Sequence, residues 1–151
     1  MVTFAPGYGA GYPVPTTVQV LDGAFPANTS PVRVDLPPGG QFCYSGGGTT
    51  ILQLALEDST GEAFPELLAR TVLGPRGMER STYENPLPPA RVGEAAAGHW
   101  VNGRVVPGKR HTYPEMAAAG LWTTAGDLAR FGAGMQRELA GAEDVSCRGG
   151  R

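Results

Sequence analysis

The sequence predicts an α+β domain that is mainly helical, with short strands and long loops. Three stretches carry apolar residues at helical spacing. The 23 glycines and 14 prolines among the 151 residues are concentrated in 5–48 and 74–120, between and before those stretches. Strand patterns are short and irregular. The length suits one domain with a core of its own, or part of one.

We expect residues 1–40 to form a Pro/Gly-rich loop region with short strands. Thr17 to Leu21 alternates weakly between polar and apolar side chains, and Val32-Arg33-Val34 is a shorter alternating piece before a run of prolines and glycines. Gln41 to Tyr44 follows as a brief extended segment. β-Branched and aromatic residues favour strands, so each piece is predicted to be extended.

The first predicted helix spans Thr49 to Ser59 and opens the central helical part, residues 41–139. Gly61 follows it, and glycine readily takes the left-handed conformation that ends a helix. Its apolar side chains surround most of the helix circumference, so we expect the helix to be buried. These side chains are Ile51, Leu52, Leu54, Ala55 and Leu56.

A second, short amphipathic helix is predicted from Pro65 to Leu73. Proline is favoured in the first turn of a helix, and Gly74-Pro75 would end it. Further on, His99 to Val106 is predicted to form a small hairpin. Its Asn102-Gly103 dipeptide is typical of a type I′ turn.

The third helix has the clearest pattern. Thr124 is predicted to cap its N-terminus, and Asp127 lies where the helix dipole favours a negative charge. Apolar residues then recur at spacings of three and four, namely Leu128, Phe131, Met135 and Leu139. Residues 140–151 show neither pattern and are predicted to be a disordered tail.

Charge and cysteine content exclude several classes of protein. Twelve basic and fourteen acidic residues give a net charge of −2, so no basic surface is available for nucleic acid. The two cysteines, Cys43 and Cys147, form no metal-ligand spacing and are predicted to be free thiols. No cofactor motif is found. We see no signal peptide and no transmembrane run, and the cellular location stays open.

Tyr44-Ser45-Gly46 is the segment most suggestive of chemistry, because a tyrosine hydroxyl before an apolar helix can transfer protons. Around it lie Phe42-Cys43, the helix to Gly61, a segment ending in Leu73-Gly74-Pro75-Arg76-Gly77-Met78, then Ser81-Thr82 and the later stretch 118–131. In this order, over roughly residues 37 to 139, the sequence resembles the serine β-lactamase and penicillin-binding-protein superfamily. The similarity is to its class C and esterase branch.

The resemblance implies a partial β-lactamase/transpeptidase-like fold whose sheet is built from strands at both ends of the full domain. It also implies a serine hydrolase that acts through an acyl-enzyme on a small ester or amide, such as a β-lactam or a carboxylic ester. The family's nucleophile is the serine of an S-x-x-K motif, and a Tyr-x-Asn motif supplies a second acid/base. Tyr44 matches that tyrosine by position, and Ser45 and Gly46 would lie at the wall of the substrate groove.

Other parts of the family pattern are absent from the sequence. Lys109 is the only lysine, and Val106 stands three residues before it, so no S-x-x-K exists. Neither Lys109-Arg110-His111 nor the tripeptide that begins at His111 is a K-T-G or H-T-G motif. Gly46 stands where the family most often has asparagine. We therefore predict a fragment of a serine hydrolase that is inactive alone.

Two alternatives stay open for the Tyr44 segment. Cys43-Tyr44-Ser45-Gly46-Gly47 lacks only the first glycine of the α/β-hydrolase elbow G-x-S-x-G, so Ser45 is a candidate nucleophile of an esterase. The second alternative is a non-catalytic binding or structural remnant that uses the groove without chemistry. The non-catalytic role of Ser45 is that of a turn or helix-cap hydroxyl.

The remaining candidate residues lie in the later loops. His99 and His111 are two histidines without a carboxylate at metal-ligand spacing, so surface positions are preferred and no metal is predicted. Trp100, Tyr113 and Trp122 are candidates to line a groove for an acyl group, although Trp122 beside an apolar neighbour also fits simple core packing.

Overall fold

The computed structural model describes residues 7–141. Its α-helices are α1, Thr17–Asp22; α2, Gly46–Thr60; α3, Phe64–Leu68; α4, Met116–Ala119; and α5, Ala125–Leu139. A π-helical turn, Ala69–Leu73, extends α3, and a 3-10 turn covers Pro89–Arg91. Within residues 7–141, β-structure is limited to isolated antiparallel bridges. The predicted architecture, mainly helical with long loops, is confirmed.

The predicted strand at Thr17 to Leu21 is wrong, because these residues form α1. Thr16 and Gln19 make a capping box: the Thr16 Oγ1 accepts from the Gln19 N–H at 3.2 Å, and the Gln19 Oε1 accepts from the Thr16 N–H at 2.9 Å. Gly23 ends the helix with a φ of 62°. These local hydrogen bonds outweigh the strand preference of the valines.

The other two short pieces are also without strand structure. The N–H of Val32 donates to the Leu21 carbonyl at 2.9 Å, so this segment folds back on the end of α1 instead of pairing with a strand. Gln41 to Tyr44 has no regular structure and leads directly into α2. The side chain of Phe42 is 93% exposed, which leaves this segment almost without packing.

Helix α2 begins three residues before the predicted start, at Gly46, and its C-cap is Gly61, in the left-handed conformation expected for it. The expected burial is wrong. Leu52 is 63% exposed, and Ile51 and Leu56 are each 42% exposed. The side of the helix that packs inward carries Gly47, Thr50 and Gln53. Periodicity identified the helix, but it could not show which side meets the rest of the chain.

Gln53 joins three helices at the centre of this inward side. Its side chain is fully buried, and its Nε2 donates to the Pro114 carbonyl at 3.1 Å. The same nitrogen lies 3.4 Å from the Thr17 Oγ1 in α1, while the Oε1 accepts from the Ala117 N–H in α4 at 3.0 Å. A buried amide with its donors and acceptor paired in this way fixes α1 and α4 against α2.

The second and third predicted helices are present. α3 begins with Pro65 in its first turn, and the chain passes into the π turn before Gly74, whose N–H donates to the Ala69 carbonyl at 2.9 Å. Thr124 caps α5 by accepting from the Asp127 N–H at 3.1 Å, as predicted. Helix α5 ends at Leu139; residues 142–151, which include Cys147, lie outside the described residues.

The predicted hairpin forms, but its turn type differs. His99 and Val105 make an antiparallel bridge, and the Trp100 N–H donates to the Arg104 carbonyl at 2.8 Å. Gly103 has a φ of 79°, whereas Asn102 has a negative φ, which excludes type I′. The loop is a type I turn followed by a left-handed glycine, the usual arrangement of a three-residue hairpin loop.

We expect Gln53→Leu to lower the free energy of unfolding by about 1–3 kcal/mol, because the Pro114 carbonyl and the Ala117 N–H would remain buried without partners. Urea unfolding followed by far-UV circular dichroism measures this change. Gln136→Leu, at an exposed position of α5, is the matched control. Equal stability of the two variants would contradict the central role of Gln53.

Candidate functional site

Tyr44-Ser45-Gly46 lies at the start of α2, with the tyrosine directed away from the core. The Tyr44 side chain is 69% exposed. Ser45 is in an extended conformation with φ −142° and ψ 105°, and its Oγ accepts from the Gly48 N–H at 2.9 Å. Ser45 is therefore the N-cap of α2, the non-catalytic role considered for it. The catalytic role of Tyr44 and the groove role of Ser45 and Gly46 stay predictions.

Gly46 has space around it. A Cβ built on this residue would meet no atom within 4 Å, apart from its chain neighbours and the backbone of its own helix. The φ of Gly46 is not in the left-handed region, so residues other than glycine can adopt this backbone conformation without strain. The backbone at this position could carry the asparagine that the resemblance implies.

Lys109, the only lysine of the sequence, and Tyr44 do not line the same cavity. Lys109 lines a cavity whose walls come from residues 85–122, and Tyr44 is not among them. The backbone of Lys109 is in the left-handed conformation, with a φ of 68°. Its N–H donates to the Val106 carbonyl at 2.7 Å, and its carbonyl accepts from the Gly98 N–H at 2.6 Å. The turn that presents this lysine is thus fixed by hydrogen bonds.

This cavity has a volume of about 380 Å³ and was not predicted as a unit. Its polar side chains are those of Asn85, Lys109, Arg110, His111 and Tyr113. Small and apolar residues complete the walls, and the described part of the chain contributes no acidic residue to them. The sequence suggested Tyr113 and Trp122 as groove residues but not the cavity as a whole, because its walls come from separate segments of the chain.

Aromatic rings contact two of the basic residues that line the cavity. The Arg110 guanidinium carbon lies 5.9 Å from the centre of the Trp122 ring, in a cation–π arrangement. The His111 and Trp100 rings meet edge to face, with centroids 5.9 Å apart. Trp122 and Tyr113 line the cavity, as the acyl-groove interpretation expected, but Trp100 is not among the lining residues.

Glu115 is a buried carboxyl group beside this cavity. Glu115 is 6% exposed, and neither of its carboxyl oxygens has a hydrogen-bond partner among residues 7–141. Burial raises the pKa of Glu115. Burial also raises the pKa of Tyr8 and of Tyr113, and the neighbouring Glu115 raises both further.

Metal binding and membrane spanning have no support in the described part of the chain. No group of three or more histidine, cysteine or acidic side chains is placed to hold a metal ion between residues 7 and 141. The His99 Nδ1 lies 3.0 Å from the Ala97 carbonyl oxygen. Over the same residues, every helix is too short or too polar to cross a bilayer. Cys43 is a free, exposed thiol.

The chain was compared with protein-family models, curated proteins and solved structures. The family model described as Beta-lactamase matches residues 7–146. A search of curated proteins found no match. Among solved structures, the chain is similar to a class C beta-lactamase with a tyrosine-to-phenylalanine substitution, at 21% identity and a TM-score of 0.61. This match covers 94% of the chain and 39% of that protein.

A second similar structure is the octameric penicillin-binding protein homologue from Pyrococcus abyssi, at 21% identity and a TM-score of 0.51. The match covers 95% of this chain and 34% of that protein. The chain therefore spans less than two fifths of either protein's length. At this level of identity, the structural comparisons establish a shared fold.

We expect Ser45→Ala to lower the free energy of unfolding by about 1 kcal/mol, because the Gly48 N–H loses the cap. Ser45→Asp is the matched control, since aspartate is an equally good N-cap and should keep the stability of the wild type. Urea unfolding measures both variants. An alanine variant as stable as the aspartate variant would contradict the capping role.

The buried Glu115 should make the protein less stable as the pH rises. Its folded-state pKa is raised above the ordinary value of 4.5, so its contribution is fully present below pH 4.5 and is lost as the pH rises through the folded-state pKa. Glu115→Gln cannot ionise and should not show this loss. Urea unfolding between pH 4 and pH 8 should show the variant gaining stability relative to the wild type; a constant difference would contradict the assignment.

Proposed function

The chain belongs to the beta-lactamase family, and from this premise we propose that it carries the tyrosine-bearing part of a serine hydrolase active site and has no hydrolytic activity alone. The parent reaction is formation and hydrolysis of an acyl-enzyme, with a β-lactam or a carboxylic ester as substrate. The observation that carries the proposal is the exposed Tyr44 next to the capped start of α2.

The position of Tyr44 suits an acid/base that works on a partner group from another segment. The capping bond of Ser45 fixes the backbone on one side of the tyrosine, while the side chain of Tyr44 remains exposed. A phenol gives up its proton near neutral pH only beside positive charge, so catalysis needs a neighbouring cation. The family supplies lysines for this purpose, and Lys109 lines a cavity that excludes Tyr44.

The exposed apolar side of α2 supports the need for further segments. Ile51, Leu52 and Leu56 are exposed on the same helix that Ser45 caps, and Phe42 just before it is almost fully exposed. Several large apolar side chains exposed on one helix and just before it fit an interface. We assign it to the part of the family fold that the chain does not span, which would bring the nucleophilic serine and its lysine next to Tyr44.

The role of Ser45 as a nucleophile has less support. An elbow requires a strand that leads into the serine, and Gln41 to Tyr44 forms none. The Ser45 hydroxyl is instead engaged with the Gly48 N–H. In the proposed function Ser45 positions the tyrosine, and the attacking serine lies outside this sequence.

The purified chain should not hydrolyse a chromogenic cephalosporin or a nitrophenyl ester above the buffer rate, because S-x-x-K is absent. Absorbance assays measure both reactions. Turnover by the chain alone that disappears in Ser45→Ala would overturn the proposal in favour of the elbow interpretation.

Activity is expected when the chain is joined to segments from a class C beta-lactamase that carry the S-x-x-K and K-T-G motifs. In that chimera Tyr44→Phe should lower kcat about 10²–10⁴-fold, the usual effect of losing a general acid or base. Tyr12→Phe is the matched control, because Tyr12 is exposed to a similar degree, at 74%. Equal rates for the two variants would remove Tyr44 from the mechanism.

A further inference from the structure

The cavity formed by residues 85–122 has a charge and a shape that its packing role does not explain. Lys109 and Arg110 are adjacent in its wall, and none of the lining residues within 7–141 is acidic. We propose that this cavity binds a small organic carboxylate through Lys109 and Arg110. The binding would belong to this chain and would not depend on hydrolysis or on Tyr44.

Arg110 has an unused donor at this place. Its Nε is buried and has no hydrogen-bond partner among residues 7–141. One terminal nitrogen lies 3.5 Å from the Val92 carbonyl oxygen, at the long limit of a hydrogen bond. The guanidinium carbon lies 5.9 Å from the centre of the Trp122 ring, within the range of a cation–π contact. The planar donors of arginine match the two oxygens of a carboxylate, which the terminal nitrogens of Arg110 would bind.

Lys109 adds a second positive charge at a fixed point of the wall. The two backbone hydrogen bonds of its turn, to Gly98 and Val106, hold the left-handed conformation without any contribution from the side chain. The ammonium group is therefore available to a ligand and is not needed for the turn.

Neighbouring acidic groups are engaged elsewhere. Glu94 pairs with Arg80 at 3.1 Å, and Glu84 accepts from the Thr82 hydroxyl at 3.0 Å. Glu115 is not among the described residues that line the cavity. The carboxylates of Glu94 and Glu84 already interact with other side chains.

The remaining walls define the body of the ligand. A volume of about 380 Å³ is at the lower end of the usual range for ligand sites, about 300–1,000 Å³. Alanine, leucine and tryptophan side chains form its apolar part. Asn85 is held by its Nδ2, which donates to the Gly120 carbonyl at 2.9 Å and to the Tyr83 carbonyl at 3.3 Å. A carboxylate with a short apolar or monocyclic body fits these dimensions.

Isothermal titration of the full chain with phenylacetate tests the proposal, with phenylacetamide as the neutral ligand of the same shape. We expect phenylacetate to bind saturably, and the amide to bind at least about tenfold more weakly because it lacks the charge. Raising the salt concentration should weaken the binding of phenylacetate and leave that of the amide unchanged.

Two variants locate the site. Lys109→Asn, chosen because asparagine tolerates the left-handed backbone, and Arg110→Gln should each weaken phenylacetate binding about tenfold. Arg104→Gln, at an exposed arginine of the hairpin, is the matched control and should bind as the wild type does.

Thermal melting of each variant precedes the titration. If Arg110→Gln does not fold, Lys109→Asn alone decides the outcome, because its side chain has no role in the turn. The proposal fails if phenylacetate does not bind, if the amide binds equally well, or if Lys109→Asn binds as tightly as Arg104→Gln. Loss of hydrolysis in the chimera leaves this test unaffected, since it measures binding without turnover.

Discussion

The burial of Asp127 is the constraint on which the second half of the structure depends. The residue is 1% exposed, and burial by itself would raise the pKa of its carboxyl group. Donors from Ser81 at 2.8 Å, from the Arg80 N–H at 2.9 Å and from Arg130 at 2.6 Å outweigh that effect, so the pKa lies below its usual range. An ionised carboxylate in the interior is tolerated only when its acceptors are met, and this requirement fixes the loop at 80–81 against α5.

The same requirement explains how distant segments come together without a sheet. Next to the Asp127 network, Thr82 and Trp122 exchange two backbone hydrogen bonds of 2.9 Å. The amide of Gln53 likewise connects the first helices through its hydrogen bonds, as Asp127 connects the last helix to its loop. In the described part of the chain, the Asp127 carboxylate and the Gln53 amide therefore connect elements by hydrogen bonds. Short strands and small apolar contacts would connect these elements only weakly. Specific hydrogen bonds, which have direction, define this arrangement more narrowly than apolar contact would.

Helix ends were the features most accessible to sequence reasoning, because a capping residue acts within its own few neighbours. Gly61 and Thr124 could be identified in this way, and both lie where expected. The capping box of Thr16 and Gln19 was equally local, but β-branched residues inside the helix suggested a strand instead. By contrast, the side of α2 that is buried depends on Pro114 and α4, sixty residues away, and no local pattern contains that information.

The candidate site shows the same division between local and distant information. The family resemblance indicated Tyr44, and the position of Ser45 before a helix indicated a cap. Each of these inferences depends on residues adjacent in the sequence. The cavity around Lys109 and Arg110 is built from loops that meet only in the folded chain. The sequence shows that Lys109 and Arg110 are consecutive, but the residues that line the cavity with them and the unpaired Nε of Arg110 are properties of three-dimensional packing.

The open space at Gly46 bears on how this family can evolve. A side chain there meets no obstacle, so replacing the glycine requires no accompanying change elsewhere in the described structure. In the genetic code, glycine codons lead to asparagine codons through those of serine or aspartate, and both of these residues are well tolerated at the start of a helix. Every intermediate on that route should fold. The fold therefore does not require glycine at position 46, and two single-base changes in succession reach asparagine without disturbing the start of the helix.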